Sequence, residues 1–96
     1  LAEFRQFLAT EATRLERELV TKRARLADYQ RDLAAARAGL AGVQGQAEAV
    51  VLSREERVAA VESEVAALED SIATDVSSIA EFRARAAATT GEEVLT

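Results

Sequence analysis

The sequence predicts an all-α chain folded as an antiparallel two-helix coiled-coil hairpin. Three observations predict it. The composition is that of long helices; two heptad ladders of apolar residues run along the chain; and the ladders fall out of phase where three of the four glycines cluster. The expected elements are a first helix over about 2–41, a turn over about 42–46, a second helix over about 47–89 and a tail over 90–96.

The first helix follows from composition and period. Ala, Leu, Glu and Arg dominate, and Pro and Asn are missing. Such side chains lose little freedom in a helix, and nothing breaks one before Gly39. One ladder reads Leu1, Leu8, Leu15, Lys22, Tyr29, Ala36. Its companion, four residues on, reads Ala12, Leu19, Leu26, Leu33, Leu40. Together they form the a/d seam of a coiled coil.

The turn follows from a phase slip. Extending the companion series by sevens reaches Arg54, which falls between the second ladder's Val51 and Val58. Gly39, Gly42 and Gly45 occupy the interval. Each glycine costs a helix about 1 kcal/mol relative to Ala and supplies the positive φ that ends one. A turn at Gly42-Val43-Gln44-Gly45 is the economical reading. Ser53-Arg54-Glu55-Glu56 also fits a capping box, which would start the second helix as late as Ser53; an exposed mid-helix serine is the blander alternative.

The second helix carries Val51, Val58, Val65, Ile72, Ile79 and Ala86, with companions Val61, Leu68, Asp75 and Phe82. Thr89-Thr90-Gly91 reads as its stop, and Thr90 with Glu93 could cap a further helix.

A phase slip alone also fits a continuous helix with a stutter, paired in parallel with a second chain. Meshing and charge favour the hairpin. Folding between Val43 and Gln44 sets Leu8 on Ile79, Leu15 on Ile72, Leu19 on Leu68, Leu26 on Val61, Tyr29 on Val58 and Leu40 on Ala47. A shift of about one layer would mesh as well. In this fold Arg23 lies near Glu62, Arg25 near Glu64, Asp32 near Arg57, and Arg37 near Glu48 or Glu55, with Glu16 and Glu69 the one like-charge pair. The parallel rod sets Glu11 on Glu16 and Glu64 on Glu69 of the partner, against three attractive pairs. Each exposed pair is worth only about 0.3–0.5 kcal/mol, so the preference is a sum of small effects. A two-helix seam buries little surface, so further burial is expected, by self-association into a four-helix bundle or by packing on a larger protein. The chain opens on Leu1 rather than Met, which suggests a fragment or a processed chain.

Charge and residue types narrow the function. Net charge is −5 with both signs interleaved. A nucleic-acid face needs a concentrated basic stripe, and an anionic membrane surface needs the same, so neither is expected as a partner. No apolar run approaches the ~20 residues of a membrane span, so no direct insertion is expected. The chain has no Cys and no His. Thiolate sites, disulfides and imidazole bases are therefore ruled out, and carboxylates on a solvated helix face lack the pocket that catalysis or tight metal binding requires. The expectation is a non-enzyme with no catalytic residues, cofactor or metal. Cytoplasm is the default compartment.

Interaction sites are sought among residues that do not serve the seam. Phe4, Phe7 and Phe82 gather at the open base of the hairpin, Phe4 and Phe82 expected to stack in the seam and Phe7 off it, as a docking surface or as a plug for the last layers. Val43, Val50 and Leu52 gather toward the tip, and Val20 stands alone; singly exposed apolar residues are also ordinary. Polar residues interrupt the seam at Arg5, Lys22, Arg54 and Asp75. They either specify register or, for the long basic side chains, snorkel past it. Asp75 is too short to snorkel and is expected opposite small Ala12, with water access.

The hairpin outline resembles the α-helical hairpin of periplasmic adaptor proteins in secretion and efflux systems. Those carry an Arg/Leu/Ser arrangement near the tip that docks a channel. Arg37 and Leu40 match in placement, but no Ser lies between residues 38 and 52. The lipoyl-like strands flanking the hairpin in that family have no counterpart in these 96 residues. The resemblance therefore extends to coiled-coil character alone. It implies a periplasmic location and a tip that binds a channel protein. The leading expectation is a structural or interaction module, a rigid spacer or scaffold for protein partners. A third is a non-catalytic arm of an enzyme that positions substrate.

Overall fold

A computed structural model describes residues 1–95, with backbone alone for 90–95. The chain is an all-α, antiparallel two-helix hairpin. Helix α1 spans Ala2–Gly42 and helix α2 spans Glu48–Leu95. The five-residue loop 43–47 lies within the range usual for antiparallel helix pairs and excludes the continuous rod. Its one positive φ is at Gly45, at 85°. The Val43 N–H donates to the Leu40 carbonyl at 3.2 Å, and the Gln46 N–H to the Val43 carbonyl at 3.1 Å. The Ala47 carbonyl accepts from Val50 and Val51 and so opens α2. Ser53 lies exposed inside α2, so the capping-box start is not used.

The other end of α2 also differs from expectation. Helical backbone continues through Thr89, Thr90 and Gly91. Thr89 is buried, and its hydroxyl donates back to the Arg85 carbonyl at 2.9 Å. That bond satisfies a polar group within the helix, and a single glycine costs only about 1 kcal/mol. The side chains of Thr90 and Glu93 lie outside the described residues.

The chain divides into two compact units. The first comprises residues 1–22 and 71–96. Its core is Ala12, Leu15, Leu19 and Ile79, with Ile72 and Phe82 packed against it. Leu8 is buried to 1% exposure. The second unit comprises residues 23–70. Its core is Leu33, Val58, Val61 and Val65, flanked by Leu26, Tyr29, Ala36 and Leu40. Leu68 is also buried there.

The register corrects the sequence reading. Lys22 pairs with Asp75 rather than facing Val65, and Glu16 pairs with Arg83 rather than lying beside Glu69. In the second unit Arg37 reaches Glu62 at 3.9 Å, not Glu48 or Glu55. Every observed partner lies farther along α2 than expected. Two causes act together. The loop centres on Gly45, beyond the assumed fold point between Val43 and Gln44. In addition, side chains lean toward their own helix N-terminus. On antiparallel helices the two leans converge, so each residue of α1 touches a residue of α2 whose Cα lies nearer the open end.

Candidate functional site

Three groups of residues stand apart from the seam. The first is at the start of α1. Glu3 in the first turn complements the helix dipole, and the Arg5 N–H reaches the Leu1 carbonyl at 2.9 Å. Leu1, Phe4 and Phe7 are exposed at 55%, 44% and 55%. Spacings of three residues set them on adjoining turns of one side of α1. Phe82, grouped with them by sequence, is half-buried against the core of its unit instead. The structure therefore divides the three phenylalanines into two exposed rings and one packed ring.

The second group flanks the loop. Val50 and Leu52 are exposed, whereas Val43 is half-buried. Ala49, Val50, Ser53, Arg54 and Arg57 line an open groove of about 580 Å³. Arg54 and Arg57 also line a smaller groove with Asp32, Ala35 and Ala36, so Asp32 and Arg57 share a surface as the charge pattern suggested. The Arg54 guanidinium lies over Gly39: a Cβ there would meet its Nη1 at 3.6 Å, an ordinary contact.

The third group lies in the seam of the first unit. The Lys22 ammonium donates to Asp75 Oδ2 at 2.7 Å. Asp75 is 7% exposed. Water access to Asp75 is thus largely replaced by a part-buried ion pair. The Lys22 side chain turns to this carboxylate rather than snorkelling past the seam. Sequence patterning contained the signal, two opposite charges at seam positions, but its register kept them apart.

Elsewhere the charged faces are solvated. Arg14 bridges Glu11 at 2.8 Å and Glu18 at 2.6 Å on the same helix face. Its hydrogen bond to Glu11, with the charges of Glu11 and Glu18, raises its pKa above the usual arginine value. Arg31 pairs with Asp28 in the same way. Among the described residues no group of three or more His, Cys, Asp or Glu is placed to hold a metal ion. No helix there is long and apolar enough to cross a membrane. Comparison with protein-family models, curated proteins and solved structures finds no match to this chain.

Proposed function

We propose that this chain is a structural, protein-binding coiled-coil module, a rigid helical spacer or scaffold for protein partners. One observation carries the reading. Burial within each unit is concentrated in the seam, while Phe4 and Phe7 stand exposed on a helix whose other outward positions are largely polar or alanine. Aromatic side chains bring large contact area at low entropic cost and serve as anchors when a partner covers them. The module takes its partners from proteins, a second copy included, and uses no cofactor and no catalytic group. Residue types support this, since the chain has neither His nor Cys.

A second reading places the contact at the tip, as in the adaptor hairpins that dock a channel. Exposed Val50 and Leu52 beside the loop favour it. Photo-crosslinking separates the two. A photoreactive residue at Phe7 or at Leu52 is expressed in the native host, with exposed Val20 as the control position. Specific adducts at Phe7, lost on Phe4→Ser, support the leading reading; adducts confined to Leu52 support the tip. Adducts no stronger than the Val20 control at both sites reject both.

A further inference from the structure

The apolar seam does not fix a register by itself. Its pattern recurs every seven residues, so sliding one helix past the other by that repeat, a one-layer slip here, again sets leucine and valine against each other. The sequence illustrates this degeneracy: a fold about Val43 and Gln44 meshes the full seam but does not bring Lys22 to Asp75. The loop is equally permissive. Gly39 and Gly42 occupy the last turn of α1, so a turn placed one layer earlier would also find glycine.

What separates the registers is Asp75. In the observed one it is buried and accepts from Lys22 at 2.7 Å. A slip by one layer toward the earlier turn sets Leu68 against Lys22 and Leu15 against Asp75. A carboxylate is then buried against leucine without its cation, an arrangement strongly disfavoured in proteins. A slip the other way sets Phe82 against Lys22 and strips α2 of its first turn to lengthen the loop. We infer that the Lys22–Asp75 ion pair is the register key of the hairpin, selecting one antiparallel alignment from those the apolar seam permits. Such pairs often add little net stability compared with apolar residues of the same size; fixing register is their best-attested use.

The test reads alignment directly. The chain has no cysteine, so Val20→Cys and Val76→Cys, both at exposed positions of the first unit, take spin labels there alone. A one-layer slip moves one helix along the other by about 10 Å, seven residues at 1.5 Å each. The labelled parent chain is expected to give one distance. With Lys22→Leu and Asp75→Leu together, a second distance displaced by the slip is expected, its population raised at least ten-fold by loss of the penalty on unpaired charge. The exchanged pair, Lys22→Asp with Asp75→Lys, is expected to return the single distance. Should the double leucine variant not fold, Asp75→Asn is measured in its place, with the same second distance expected. One unchanged distance in the folded charge-free variant overturns the inference, as does a second distance in the parent chain.

Discussion

Gly42 and Gly45 make opposite predictions for the same substitution. Neither has an atom within 4 Å of where a Cβ would sit, so alanine meets no steric obstacle at either site. They differ in backbone. Gly42 is the last residue of α1, and Gly45 has φ of +85°. At Gly42, alanine reduces the freedom of the unfolded chain and suits the helix, gaining about 0.5 kcal/mol at a helix end. At Gly45 the same unfolded-state gain applies, but the left-handed conformation costs an L residue about 1–2 kcal/mol, leaving a net loss near 1 kcal/mol. The two variants should therefore straddle the parent chain and differ from each other by about 1.5 kcal/mol. Urea unfolding followed by circular dichroism at 222 nm resolves that gap as a shift of midpoint at constant slope. Because both changes act on the unfolded state alike, the comparison isolates φ. Two shifts of the same sign would refute the reasoning, and so would a loss at Gly42 matching that at Gly45.

Further outcomes follow from burial and capping. Leu8→Ala, at a side chain with 1% exposure, should cost about 3 kcal/mol, whereas Val20→Ala, at 70% exposure, should change stability by no more than about 0.5 kcal/mol. Thermal unfolding of the two measures that contrast. Ala47 occupies the N-cap of α2 without a capping side chain; Ala47→Asp should stabilise by about 1 kcal/mol in urea titrations, through its bond to the free N–H groups of the first turn. Lys22→Met should destabilise by about 3 kcal/mol by stranding Asp75, and a further Asp75→Leu change should recover most of that loss. A double-mutant cycle showing no coupling between Lys22 and Asp75 would contradict this. Arg14→Gln should lower the unfolding midpoint slightly, and by the same amount at every pH between 5 and 9. The raised pKa of Arg14 lies above that window, so its contribution, present below the ordinary arginine value, is lost only in strong alkali.

Much of the fold was legible in the sequence because it rests on local rules. Heptad spacing located the seam residues, and the phase slip with its glycines located the loop. Register was not legible to the same degree. A ladder of Leu, Val and Ala is nearly self-similar under a one-layer shift, and matching Cα positions ignores the direction in which side chains lean. Both effects displaced Asp75 from Lys22. The end of α2 was misplaced for another reason: Thr89 carries its own hydrogen-bond partner in the Arg85 carbonyl, so a residue that often stops a helix sits buried within one. Of the candidate surfaces, heptad position placed Phe82 in the seam and Phe7 off it, as observed, but it also placed Phe4 in the seam, where the structure leaves it 44% exposed.

The antiparallel fold also dictates an order of assembly. Contacts beside the loop close short segments of chain, and each doubling of the enclosed length adds only about 0.6 kcal/mol of closure entropy, but the first closures are still the cheapest. Arg37 and Glu62 thus meet early, whereas Lys22 and Asp75, 53 residues apart in sequence, meet late. Pairing that zips outward from Gly45 commits to an alignment before the charges can test it. A hairpin that starts one layer off must reopen when Asp75 arrives against leucine. With the ion pair as register key, alignment would be checked late in folding, and refolding of a chain that lacks the pair should lose any slow corrective phase the parent shows.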